Sequence, residues 1–255
     1  MLDFLSQIPW EYPLLIIVGF VVGFINTMAG GGSLITLPLL IFLGLPSSVA
    51  NGTNRIAIMM TAFSANMGFK SKGLSTYPFS AYLGVFALVG SIIGANIAVE
   101  IEGELFNKIL SVIMILVVII IIFKPKIIKS NSKIRISGKH LVVSCISFFF
   151  IGLYGGFVNA GIGFIIMLFL HFYNRINLLK VNATKVVVVL VYTIGAFFTF
   201  VANDMVNWSY GICLGIGTLN GGWFTSRWSV KKGENMIRIF LIVIVFIMAI
   251  KLWFF

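Results

Sequence analysis

Continuous apolar runs follow one another through nearly all of this 255-residue chain, separated only by short polar breaks. A hydrocarbon core about 30 Å thick is crossed by roughly 20 apolar helical residues, and most of these runs approach that length. No other feature narrows the fold as much. Inside lipid every backbone polar group has to be bonded within the protein, which leaves helices or closed barrels. Barrel strands alternate in polarity over short stretches, and these runs do not, so an all-α, polytopic membrane protein is expected. A mean hydropathy of +1.09 and a charged fraction of 10% point to lipid as the main solvent.

The first run begins near Pro13 behind Asp3 and Glu11. It has neither a basic leader nor a small-residue cleavage pattern, so it is expected to be a retained segment rather than a signal peptide. The formal charge of +11 would suit nucleic acid in a soluble chain. Here Lys124, Lys126, Lys129, Lys133, Arg135 and Lys139 share one polar stretch without aromatic interleaving, which is better read as a positive-inside anchor. No nucleic-acid partner is expected. Cys145 and Cys213 lie in apolar segments and form neither a disulfide framework nor a zinc set, so neither metal nor cofactor is expected.

The chain reads as a duplication. Gly19, Gly23, Phe24 and Asn26 recur as Gly152, Gly156, Phe157 and Asn159, and Ala29-Gly30-Gly31-Gly32 recurs as Ala160-Gly161-Ile162-Gly163. Asn51-Gly52-Thr53-Asn54 returns as Asn182-Ala183-Thr184-Lys185; Gly84, Gly90 and Gly94 return as Gly211, Gly217 and Gly221; Asn107 returns as Asn235. Each half holds five segments: 13–29, 33–45, 52–69, 79–98 and 107–123, then 141–160, 163–173, 183–202, 208–225 and 236–254. Residues 1–123 therefore form a first repeat, 124–139 a basic cytoplasmic linker and 140–255 a second repeat. The second segment of each half is too short to span, reaching about 15 to 20 Å at 1.5 Å per residue.

Loop charges orient the halves. Lys70 with Lys72, the 124–139 stretch, Arg175 with Lys180, and Arg227 with Lys231 and Lys232 favour the cytoplasm, while Asp3, Glu11, Glu100, Glu102, Glu104 and Asp204 fall on the other side. The N-terminus is expected outside. Whether the short segments cross or are re-entrant, the number of crossings per half is odd and the repeats are inverted. Secondary transporters commonly place a midplane site between such halves.

Three successive glycines are costly in a helix, so Gly30-Gly31-Gly32 before Ser33 predicts a broken helix. Irregular backbone at that depth has to be buried in protein or line a cavity. A helix starting at Ser33 would aim N–H groups and a positive dipole end into that cavity, which suits an anion; Gly161 and Gly163 would do the same in the other half. Close helix packing explains the remaining glycines. Asn51, Thr53, Asn54 and Arg55 are expected to open one helix, with Asn182, Thr184 and Lys185 opening its counterpart, the amides and hydroxyls acting as caps. A cation in a first helical turn opposes the dipole, so Arg55 and Lys185 look for something negative, or snorkel to an interface if these helix starts lie near the surface. Asn26 and Asn159 are paired amides of the first segments, available to a shared site. No acidic residue falls within a span, which leaves cations and protons without their usual ligands and favours a small anion. His171, at a segment end, reads as structural.

The run from Gly23 through Asn26, Gly30-Gly31-Gly32-Ser33 and Leu37-Pro38 to Ala50-Asn51-Gly52-Thr53-Asn54 resembles the TauE/SafE sulfite-exporter family, and Gly155-Gly156-Phe157, Gly161-Ile162-Gly163 and Asn182-Ala183-Thr184 resemble its second half. That resemblance covers essentially the whole chain. It implies a bacterial or archaeal inner-membrane permease for sulfite, organosulfonates or related anions, commonly moved outward. Asn159 stands where many second halves of the family carry another small residue. The expected substrate-binding set is Asn26, Gly30, Gly31, Gly32, Ser33, Asn51, Thr53, Asn54, Arg55, Asn159, Gly161, Gly163, Asn182, Thr184 and Lys185. An anion channel is the alternative; a hydrolase built on Ser33 and His171 is a distant one. Partners are a small anion and the bilayer, and a homo-oligomer is compatible with the pattern.

Overall fold

The computed structural model describes residues 9–122 and 134–227. The last predicted segment, 236–254, and most of the 124–139 linker lie outside the described residues, as do Lys231, Lys232 and Asn235. Nine helices run through the described part: α1 (Glu11–Met28), α2 (Ser33–Phe42), α3 (Ser47–Lys70), α4 (Phe79–Glu100), α5 (Gly103–Ile122), α6 (Lys139–Phe157), α7 (Ile162–Phe172), α8 (Leu178–Ala202) and α9 (Trp208–Arg227). Among the described residues there is no strand. By length and composition α1, α4, α6 and α8 suffice to cross a membrane. The helices α2 and α7, of 10 and 11 residues, are about 15 Å long and do not.

Two of these helices begin about a turn and a half before the sequence predicts. The predicted starts near residues 52 and 183 are corrected to Ser47 and Leu178. Pro46 sits extended at the first boundary, and the Asn177 side chain caps the second by accepting from Lys180 N at 2.9 Å. Hydropathy marks where a helix meets lipid, but residues 50–58 of α3 and 181–188 of α8 are buried in protein. Asn51, Thr53, Asn54 and Arg55 are buried, as are Asn182, Thr184 and Lys185. None of them is a cap at a helix start.

The polarity of the fold is inside-out. Fully or nearly buried positions carry Ser33, Thr36, Asn54, Asn159 and Thr193, while Ile17, Phe86, Val89, Val142, Phe150, Phe198 and Ile212 face outward. Apolar side chains on the outside are what lipid accepts, and the inside is where polar ones avoid it.

Two pairs of helix crossings interlock the chain. Helix α4 packs along α6 and α8, and α9 packs along α1 and α3, so helices far apart in the chain lie side by side. Glycine makes these approaches close. A Cβ placed on Gly90 would lie 2.0 Å from Phe149 O and one on Gly152 2.1 Å from Ala87 O; on the other crossing, one on Gly217 would lie 2.1 Å from Ile16 O and one on Gly23 2.3 Å from Thr218 O. Such backbone-to-backbone packing is driven by van der Waals contact, since lipid offers no hydrophobic driving force between helices. A hydroxyl secures each bundle: Ser91 Oγ donates to Tyr192 O at 2.7 Å and Thr218 Oγ1 donates to Ala57 O at 2.9 Å.

Candidate functional site

The first helix of each half stops inside the protein. Helix α1 ends at Met28 and α6 at Phe157, and each chain leaves its helix through a residue of positive φ, Gly30 (+80°) and Asn159 (+61°). Backbone bonds close the two ends alike: Ala29 N and Gly30 N donate to Ile25 O, and Val158 N and Asn159 N donate to Tyr154 O. This αL exit is a common helix terminator. It corrects the pairing of Asn26 with Asn159, because Asn26 is still helical while Asn159 already occupies the place of Gly30. The α6 helix unwinds one turn earlier, counted from the equivalent glycines Gly23 and Gly156.

After the exits, the chain turns into the short helices. Gly32 precedes α2 with ordinary helical φ, and Gly161 precedes α7 with φ +68°. The two breaks meet. A Cβ on Gly30 would stand 2.3 Å from Gly163 Cα, and one on Gly163 2.2 Å from Gly30 Cα, so the backbones touch where only glycine fits. Across the same junction Asn159 Nδ2 donates to Ser33 Oγ at 3.0 Å, and within the first break Gly32 N donates to Asn26 Oδ1 at 3.3 Å.

Each broken helix leaves unpaired C-terminal carbonyls, and a cation from the opposite half takes them. Arg55 Nη1 donates to Gly155 O at 2.6 Å, and Nη2 to Gly156 O at 2.7 Å and Asn51 Oδ1 at 2.9 Å. Asn51 Nδ2 completes the α6 end by donating to Phe157 O at 2.6 Å, and the Phe200 ring lies 5.3 Å from the guanidinium. At the α1 end, Lys185 Nζ donates to Asn26 O at 3.2 Å, Thr27 O at 3.0 Å and Asn182 Oδ1 at 2.9 Å. Of the two readings the sequence offers for these cations, burial excludes the interface, and helix C-termini are their partially negative partners. In the repeat alignment Lys185 falls opposite Asn54, one residue from Arg55, yet the two cations do the same work.

All of these partners are neutral. The described residues contain one ion pair, the exposed Lys108–Glu104 contact at 2.6 Å, far from either cation in kind. A helix C-terminus carries about half a negative charge, so each buried cation leaves about half a positive charge unbalanced. The N-termini of α2 and α7 add to that sign.

A cavity of about 20 Å³ lies at this junction, between the two breaks and the helices α3 and α8. Of the predicted set, Asn26, Gly30, Asn159, Gly163 and Lys185 line it, together with Thr27, Ile58, Thr61, Ala62, Ile162, Val186 and Val189. Ser33, Gly32 and Asn182 are one hydrogen bond behind this lining, and Gly31 and Gly161 belong to the breaks. Asn51 and Arg55 hold the α6 end. The rest lie outside the lining: Asn54 Oδ1 accepts from Thr36 Oγ1 at 2.6 Å, Thr53 Oγ1 accepts from Asn207 N at 2.8 Å and Thr184 Oγ1 donates to Lys180 O at 2.8 Å.

Residues that the sequence reading missed had a readable signal. Thr61 follows Asn54, and Tyr192 follows Lys185, by seven residues, which is the same helix face. Tyr192 is fully buried and its hydroxyl donates to Asn159 Oδ1 at 2.5 Å, holding the amide in its left-handed exit. Replacing Tyr192 with Phe leaves that oxygen unpaired at a cost of about 1 kcal/mol or more, which should appear as a lower melting midpoint. A variant melting with the parent would show that the bond does not hold Asn159. His171 Nδ1 pairs with Ile176 O at 3.0 Å, in the last turn of α7, roughly 14 Å along that helix from the Ser33–Asn159 contact. Ser33 and His171 are not a nucleophile–base pair.

The family model described as "Sulfite exporter TauE/SafE" matches residues 15–252. The chain is 29% identical over 239 residues to a "Probable membrane transporter protein" of Haemophilus influenzae, covering 94% of this chain and 93% of that one. It is 26% identical to "Probable membrane transporter protein ORF9" of a Sinorhizobium species, covering 93% and 90%, and 25% identical to "Probable membrane transporter protein YfcA" of Escherichia coli K12, covering 94% and 88%. No solved structure matches the chain.

Proposed function

The chain belongs to the sulfite exporter TauE/SafE family of membrane transporters, and from that premise we propose that it is a secondary carrier of a small sulfur-containing oxyanion, such as sulfite or an organosulfonate. Its place is a bacterial or archaeal cytoplasmic membrane, with the N-terminus outside and the two repeats inverted. The observation that carries the reading is the cavity at which the two broken helices meet, walled by the buried Lys185 whose partners are all neutral. A site with unbalanced positive charge and helix N-termini takes an anion, and broken helices meeting at a shared cavity are the layout of inverted-repeat carriers.

Lys185 sets the charge preference of this site, with the backbone N–H groups opening α7 as donors and Asn26, Thr27, Thr61 and Asn159 as polar lining. Arg55 acts from behind by fixing the end of α6. A cavity of about 20 Å³ holds roughly one water and not a whole oxyanion, so the breaks part to admit substrate. Parting is easiest where the backbones meet without side chains, at Gly30 and Gly163.

The test is a melting-point screen of sulfite, sulfate, thiosulfate, a sulfonate and a carboxylate on the purified protein, followed by uptake in proteoliposomes. A ligand at 100 times its Kd stabilises by about 2.7 kcal/mol. At least one sulfur oxyanion should raise the midpoint by several degrees, and Lys185→Gln should abolish the rise and lower uptake. Undiminished uptake by both Lys185→Gln and Arg55→Gln would remove the cations from the mechanism.

A further inference from the structure

We infer that the end of α1 is a monovalent-cation site whose cation is built into the chain, the Lys185 ammonium standing where a transporter of this architecture would otherwise bind a diffusible coupling ion. The inference deepens the carrier reading above, since only a carrier has a coupling ion to replace; the site itself rests on geometry alone.

Three oxygens converge on Lys185 Nζ: Asn26 O at 3.2 Å, Thr27 O at 3.0 Å and Asn182 Oδ1 at 2.9 Å. An ammonium has three donors and no acceptor, so one oxygen meets each proton, with Met167 Sδ a further 3.8 Å neighbour. Unwound carbonyls and half-helix C-termini are the groups that hold sodium ions in inverted-repeat transporters. Here they hold nitrogen. The cage contains no carboxylate, and the described residues offer no cluster of acidic, His or Cys side chains for a metal. Neutral oxygens at a partial negative dipole end suit a single positive charge rather than a divalent one. The α6 end is filled in the same manner by Arg55, so both breaks arrive already loaded. Because Lys185 also lines the cavity, the built-in charge lies beside the substrate place, where a bound coupling ion would be needed.

A plain helix cap and a cation site both predict that Lys185→Ala loses stability. Only the cation site predicts that small cations restore it. Melting of Lys185→Ala in detergent is compared in sodium, potassium, methylammonium and choline chloride at one ionic strength. Sodium or methylammonium should raise its midpoint by about 2 to 5 °C over choline. Lys185→Met, whose thioether chain fills the cage, should melt low and not respond. The parent protein should melt equally in sodium and choline. An alanine variant indifferent to every cation overturns the inference, and so does a parent that needs sodium for its stability; the latter comparison stands even if the alanine variant does not fold. If cations rescue the alanine variant while no sulfur oxyanion shifts the parent, the cage is upheld and the substrate reading is the one that fails.

Discussion

Replacing Arg55 with Met is expected to cost this protein more stability than any other single change of comparable size. The side chain is completely buried, and its removal leaves Gly155 O, Gly156 O and Asn51 Oδ1 without their donors. A buried acceptor without a partner costs about 1 to 3 kcal/mol, and inside a bilayer no water replaces the donor. A loss of about 3 kcal/mol or more corresponds to roughly 6 to 12 °C in melting midpoint. Lys at this position should recover only part of it, because a single ammonium cannot reproduce a planar fork serving two successive carbonyls and an amide. Thermal unfolding of the purified variants, read by intrinsic fluorescence, decides the matter. A methionine variant that melts within a degree of the parent would show that the α6 end does not depend on its cap.

The second large effect is expected at Gly163. Alanine there puts a methyl carbon 2.2 Å from Gly30 Cα and 2.7 Å from Gly30 O, against an ordinary carbon contact of about 3.5 to 4.0 Å. The obstructing atoms are backbone on both sides, so no rotamer change relieves the clash. The breaks have to separate by about 1 Å or more, which displaces Asn159 from Ser33 and reshapes the cavity. Overpacking of this kind costs about 1 to 3 kcal/mol. Anion uptake should fall by about tenfold or more, since a binding site loosened by about 1 Å loses its geometry. Gly103→Ala is the control: its Cβ would meet Ser47 Oγ at 3.7 Å, an ordinary distance, and uptake should be unchanged. Full activity in Gly163→Ala would place the substrate path elsewhere.

Much of the architecture was legible because lipid writes on the surface of helices. The apolar runs marked α1, α4, α6 and α8, and the glycines at 30–32 and 161–163 marked the breaks, since glycine repetition has few uses other than irregular backbone or close approach. Legibility failed where helices face protein on all sides. Asn51, Thr53, Asn182 and Thr184 looked like caps at helix starts because they are polar, yet they sit in the second turns of α3 and α8, buried among protein groups. The partners of Arg55 and Lys185 were out of reach for another reason. Arg55 bonds to Gly155, 100 residues away, and Lys185 to Thr27, 158 residues away, so only the folded chain reveals them. The mismatch between Asn26 and Asn159 arose because identical residue types followed the same glycine, while one helix ended a turn sooner.

The interlocked crossings have a consequence for how such a chain is made. Helix α1 presents Gly19 and Gly23 to α9, where Gly217 and Thr218 receive them. A ribosome must synthesise almost two hundred residues between those positions, which at 5 to 20 residues per second takes roughly 10 to 40 s. During that interval the glycine face of α1 waits in the bilayer without its mate, exposed to other newly inserted segments. The packing of α1 is therefore completed only when α9 has followed it into the membrane.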